Sequence, residues 1–206
     1  MMNIKRILPL MGLALLAVGC GGGDFSPKPM AYLRIDTPQP RYGWLDTLSL
    51  PDSIGGGMVA LPFGCDINQE AQLALKKNTR HEMWIDLNYP QWGGVVYLTY
   101  RHLASAKDLR GQTDTSMRLL ERHYQFASGI DEQVFESNDH TVHATKWHLK
   151  GRNVASTYQF YATDSVRHFL RGAVMVNHAP NNDSLAPVLD YMHRDIDRLI
   201  ETLRWQ

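Results

Sequence analysis

The sequence predicts an α+β fold, an antiparallel meander sheet packed by at least two helices, and three stretches carry that reading. Over residues 82–89, Met83, Ile85, Leu87 and Tyr89 alternate with Trp84, Asp86 and Asn88. Pro90-Gln91-Trp92-Gly93-Gly94 then leads into residues 95–100, which is the pattern of a hairpin. Residues 141–149, 154–161 and 168–177 read as three consecutive strands. Turns at Lys150-Gly151-Arg152-Asn153 and near Asp164-Ser165 separate them, and short turns of this kind force antiparallel pairing. Finally, Leu185, Val188, Leu189, Met192, Ile196, Leu199, Ile200 and Leu203 form one apolar stripe at steps of three and four. That is a long amphipathic C-terminal helix, whose stripe needs a sheet to cover it.

In chain order, Lys5 and Arg6 precede an apolar run over residues 7–18 that ends in Gly19-Cys20. The run is too short to cross a bilayer, which takes about 20 residues as a helix, and the layout is that of a signal peptide. A small residue directly before a cysteine suits cleavage at a lipid-modified thiol. Residues 1–19 are therefore expected to be a lipoprotein signal, with Cys20 the lipid-bearing first residue of the mature chain. The alternative is an ordinary secretory signal with a coincidental cysteine. Two or three acyl chains, at ~0.8 kcal/mol per buried methylene, make release negligible.

Residues 20–29 run from a glycine tract into Pro27-Lys28-Pro29 and read as a tether with a reach of at most about 30 Å. Gly21, where many inner-membrane lipoproteins carry Asp, favours the outer membrane facing the periplasm, with the inner membrane as the alternative. Residues 30–206 are then one domain.

Within it, residues 30–36 and 42–48 look extended, separated by Pro38 and Pro40. Tyr32, Arg34 and Asp36 share a face there, either as a docking strip or with Arg34 and Asp36 as a local ion pair. Between 51 and 77 the pattern is weaker: Gly55-Gly56-Gly57 is a loop, 58–63 reads as a strand, and 71–75 fits either type. Leu109, Thr113, Met117, Leu120 and Tyr124 predict a helix over 107–126, with Gly111 weakening its first turn. Asp131, Glu132 and Gln133 read as a surface turn and strand start, or as a polar recognition patch. Arg171, mid-strand, calls for a carboxylate partner such as Asp131 or Glu132. In the last helix Ser184 is the expected cap and Pro187 falls in the first turn. Asp190 either pairs with Arg194 or serves as an exposed contact. Trp44, Trp92 and Trp205 are core or turn-covering residues, or interface anchors.

Composition narrows the chemistry. The mature chain of 187 residues carries 19 basic and 21 acidic residues, a formal charge of −2. That offers no basic footprint for nucleic acid. With Cys20 acylated, Cys65 has no intramolecular partner and is either a small buried residue or a free thiol. His140, His143 and His148 are spaced to fall on opposite faces of a strand, and the histidines lack the spacing of a zinc site. No nucleophile elbow or phosphate loop is present. No cofactor or metal is expected and no catalytic residue is assigned, although a catalytic set assembled from distant loops would leave no local signature.

Several segments taken in order resemble the gliding-motility lipoprotein family GldD of Bacteroidota. They are Pro27-Lys-Pro-Met-Ala-Tyr-Leu-Arg-Ile-Asp36, Trp84-Ile-Asp-Leu-Asn-Tyr-Pro90 and Tyr97-Leu-Thr-Tyr100, then Ile130-Asp-Glu-Gln133, Gln159-Phe-Tyr-Ala-Thr-Asp-Ser165 and His168-Phe-Leu-Arg-Gly-Ala173. The last are Ala179-Pro-Asn-Asn-Asp-Ser-Leu-Ala-Pro-Val188 and Leu199-Ile-Glu-Thr-Leu-Arg-Trp205. The resemblance implies a lipoprotein needed for gliding and for type IX secretion, partnered by other lipoproteins and subunits of that complex. It brings no catalytic motif with it. Family members often carry cysteines near the positions of Leu61 and Met83; both positions are apolar here.

Overall fold

The computed structural model describes residues 35–50, 56–177 and 181–206. The expected signal, Cys20, the tether, Tyr32 and Arg34 lie outside the described residues. Among the described residues the order is β1 (Tyr42–Ser49), β2 (Met58–Asn68), β3 (Gln72–Asn78), β4 (Glu82–Tyr89), β5 (Gly94–His102) and α1 (Ala106–Glu121). There follow β6 (Gly129–Glu136), β7 (His143–Lys150), β8 (Tyr158–Thr163), β9 (His168–Val176), α2 (Asn182–Thr202) and β10 (Arg204–Trp205).

The hairpin and the late meander join into one seven-stranded sheet of order β3-β4-β5-β9-β8-β7-β6, and every neighbouring pair is antiparallel. Helix α1 is the crossover that lets β9 pair with β5. A second sheet, β1-β2-β10, is also antiparallel.

Period-two alternation decides which side chains meet. Met83, Ile85, Leu87 and Tyr89 of β4 share a buried face with Val96, Leu98 and Tyr100 of β5, and with Phe160 and Ala162 of β8 and Leu170 and Val174 of β9. Leu61, Phe63, Cys65 and Ile67 of β2 close over them, together with Val188, Met192, Ile196 and Leu199 of α2. Each such side chain contributes about 1.5–3 kcal/mol relative to exposure. On the opposite face Leu120 of α1 meets Trp147, Leu149 and Val154 in a smaller buried group, and α1 lies against β8 and β9.

Gly172 sits between Leu98 and Phe160 in the ladder, and the Phe160 ring occupies the space a side chain would take. A Cβ there would fall 2.0 Å from Phe160 Cε1. Gly172→Ala should therefore lower stability by about 1–3 kcal/mol or more, and Phe160→Leu in the same chain should recover part of it. Urea titrations of the single and double variants check this; equal stability of Gly172→Ala and wild type would refute the close approach.

The structure moves several expected boundaries. Helix α1 ends at Glu121, and Tyr124, expected on its stripe, lies 42% exposed in a 3-10 turn over Tyr124–Phe126 where the chain bends toward β6. Its start is firm: the Ser105 hydroxyl accepts from Asp108 N (3.3 Å) while the Asp108 carboxylate accepts from Ala104 N (3.0 Å), a reciprocal cap. Strand β8 begins at Tyr158 rather than at residue 154. The intervening carbonyls find side-chain donors instead of a ladder, since Asn182 Nδ2 donates to Gly151 O (2.7 Å) and Val154 O (2.9 Å).

Strand β2 continues well past residue 63, and residues 71–75 fall in β3. Helix α2 starts two residues before Ser184, whose hydroxyl donates to the Asn181 carbonyl (2.8 Å) instead of capping, so Pro187 lies beyond the first turn.

Candidate functional site

On the face of β4 and β5 opposite the main core stand Trp84, Asp86 and Asn88, across from Thr99, Tyr97 and Val95, and of these Val95 is buried. Trp84 and Tyr97 are diagonal neighbours on this face, 43% and 39% exposed. The Trp84 ring is held by its neighbours. Trp84 Nε1 donates to Glu82 Oε1 (2.7 Å), and the Lys77 ammonium lies 4.6 Å from the Trp84 ring centroid.

Glu82, nearly buried, also meets Lys77 and, at 2.5 Å, Arg101. Burial pushes its carboxyl pKa up, but Lys77, Trp84 and Arg101 outweigh that and hold it below the usual range. Burial raises the Asp86 carboxyl, opposed by Lys76 at 3.9 Å. The result is a small aromatic patch with a charged rim, in which Trp84 is held in place.

Among the described residues, those singled out from sequence do not converge on one spot. Asp36 is exposed and lies outside any strand. Asp131, Glu132 and Gln133 are exposed on β6, the edge strand of the large sheet. Asp190 is exposed on α2, and Arg194, its expected partner, lies over the Tyr191 ring at 5.9 Å.

Arg171 corrects the expectation of a carboxylate partner. It donates to Gln159 Oε1 (2.7 Å), whereas Asp131 pairs with Lys150 (2.6 Å) and Glu132 accepts from Trp147 Nε1 (2.8 Å). The reason is register: Gln159 is on the adjoining strand beside Arg171, while β6 is three strands away from β9. Burial lowers the Arg171 pKa.

Trp44 is 53% exposed and lies over Gly64, whereas Trp205 stacks on His168 with centroids 5.1 Å apart. Cys65 is fully buried, and burial followed by the neighbouring Asp66 pushes its thiol up to about 12, so it is a packing residue rather than a nucleophile. Leu61 and Met83 are both buried and line the same cleft.

Sequence reasoning passed over one buried carboxylate with many partners. The Asp195 carboxylate, 5% exposed, accepts hydrogen bonds from Tyr42 (2.9 Å), Asn68 (2.8 Å) and Tyr89 (2.8 Å). Asn68 also donates to the Tyr191 hydroxyl (2.6 Å), and Trp92 packs on Tyr191 with centroids 4.9 Å apart. This network ties β1, β2 and β4 to α2. Its one sequence signal was an acidic residue inside the apolar stripe, three after Met192 and four before Leu199.

Two residues before Asp195 on α2, His193 is buried, its Nε2 2.9 Å from the Thr157 hydroxyl and its ring 4.8 Å from that of His148. Among the described residues no group of three His, Cys, Asp or Glu side chains could hold a metal. His140 pairs instead with Glu136 (2.6 Å).

A cleft of about 680 Å³ runs past Arg167, His168, Arg204 and Trp205. Its two acids are occupied by their own turns: Asp164 Oδ1 accepts from the backbone of Val166, Arg167 and His168, and Asp139 accepts from Ser137 and Thr141. His168 Nδ1 lies 2.9 Å from the Tyr100 hydroxyl.

The sequence profile of the family described as gliding motility lipoprotein GldD matches residues 22–205. The chain belongs to that family. Neither a curated protein nor a solved structure matches it. The GldD match takes in the aromatic patch, the β6 edge and the Asp195 network, so all three belong to the family domain. No described helix is long and apolar enough to cross a membrane.

Proposed function

We propose that this chain is an accessory lipoprotein of the gliding motility and type IX protein secretion machinery, working by protein contacts rather than by turnover. It is held by a lipid on Cys20 at the outer membrane facing the periplasm, within reach of the other lipoproteins and subunits of that complex. The observation that carries the reading is the open face of β4 and β5. Two large aromatic rings are partly exposed there, and the charge network around the nearly buried Glu82 orders Trp84 in advance, which lowers the entropy lost on binding. In the cleft beside Trp205, by contrast, Asp139 and Asp164 are already held by their own turns and His168 lies against the Tyr100 hydroxyl.

Two variants test it in the native organism. Cys20→Ser should abolish palmitate incorporation and membrane sedimentation, and with them colony spreading. Trp84→Asp combined with Tyr97→Asp should leave the protein folded and membrane-bound, yet stop spreading and secretion and reduce co-purification of the other gliding lipoproteins at least tenfold. Normal spreading by the double variant, or conversion of a small substrate by the purified chain, would overturn the contact reading.

A further inference from the structure

The two edges of the seven-stranded sheet are unequally protected. At one end, β3 carries Lys76 and Lys77 and a register shift between Leu75 and Lys77, both devices that blunt an edge. At the other end, β6 pairs with β7 over all eight residues, Gly129↔Lys150 through Glu136↔His143, without a bulge. It contains no proline and no lysine, its four central residues are exposed, and Val134 is 76% exposed.

The ladder also fixes which backbone groups face outward. Ser137 N donates to Val142 O at 3.0 Å, one step beyond Glu136↔His143. Because hydrogen-bonded and non-hydrogen-bonded pairs alternate, Ile130, Glu132, Val134 and Glu136 turn their N–H and C=O groups away from β7. An exposed, regular edge of this kind is a template for a further strand.

Charge selects the occupant. The strand carries Asp131, Glu132 and Glu136; Lys150 answers Asp131 at 2.6 Å, and Glu136 meets His140 and His143. A second copy added antiparallel would set carboxylates against carboxylates, whereas a basic strand meets them with opposite charge; such cross-strand pairs contribute about 0.2–1 kcal/mol each. We propose that β6 is a β-augmentation site that takes an extended, basic segment of a partner protein as an eighth strand of the sheet. This surface lies at the far end of the sheet from the Trp84 and Tyr97 patch, so its test is independent of that reading and of gliding.

The probe is a synthetic ten-residue peptide alternating Lys and Val, compared with its Glu and Val counterpart, added to the full mature chain in detergent and followed by amide exchange and 15N shifts. The Lys peptide should slow exchange of the Ile130, Glu132, Val134 and Glu136 amides at least tenfold while the Glu peptide does not. Val134→Pro removes one outward N–H without breaking a β7 hydrogen bond, and should abolish the protection. If that variant loses its native spectrum, Val134 N-methylation by semisynthesis supplies the same block.

Equal protection by both peptides, or protection that survives loss of the Val134 N–H, overturns the proposal. So does protection in the free chain that grows with its own concentration, since the occupant would then be a second copy.

Discussion

Asp195→Ala should cost about 3 kcal/mol of folding stability, a large share of the roughly 5–15 kcal/mol that a domain has in total. Three donors, Tyr42, Asn68 and Tyr89, converge on this carboxylate in a site that is almost closed to water. A hydrogen bond to a charged acceptor is worth about 1.5–3 kcal/mol, and each buried donor stranded without one costs about 1–3 kcal/mol. The gross loss is offset in part, because burial raises the Asp195 pKa even against those donors. Holding the charge inside therefore already costs something in the wild type.

Asp195→Asn, which keeps one oxygen acceptor, should lose less than Ala. Tyr89→Phe removes a single donor and should lose about 1 kcal/mol. Urea titration of all three, read by tryptophan fluorescence because Trp92 packs on Tyr191 beside the network, gives the order. If Asp195→Ala were no worse than Tyr89→Phe, the network would not be what joins α2 to β1, β2 and β4.

Acid should unfold the domain through His193. Burial, followed by repulsion from His148, lowers its pKa to about 3, while Asp197 acts in the opposite direction. The folded chain thus refuses a proton that the unfolded chain accepts near pH 6.5. Stability is fully present above about pH 6.5 and is lost as pH falls from there toward 3, at up to about 1.4 kcal/mol per pH unit for this one group. His168 and His123, both lowered mainly by burial, act in the same direction.

Across pH 6.5 to 4.5 the loss from His193 should reach a few kcal/mol. Thermal melts over that range should fall steeply for the wild type and more gently for His193→Gln. Parallel curves would show that His193 takes up its proton in the folded state.

Legibility from sequence followed the range of the interaction that decides each feature. The β4–β5 hairpin and α2 were readable because alternation and a three-four step act within one element, and solvent imposes them locally. Boundaries shifted where a distant side chain supplied the hydrogen bonds. Asn182 holds the 151–154 loop from about 30 positions away, so apolar Val154 sits under α1 rather than in β8. The aromatic patch was half visible: Trp84 and Tyr97 stood on the polar side of two predicted strands, but nothing local says that α1 lies against β8 and β9.

The chain by itself determined the hairpin, the late meander, the C-terminal helix and the family resemblance, because each is written in contiguous residues. Only the tertiary structure decided that β5 pairs with β9, that β6 is an unguarded edge, that Gln159 rather than a carboxylate serves Arg171, and that Asp195 gathers Tyr42, Asn68 and Tyr89 from as far as 153 positions away. Those contacts depend on which elements meet after collapse, and burial and pairing across the whole chain settle that choice together.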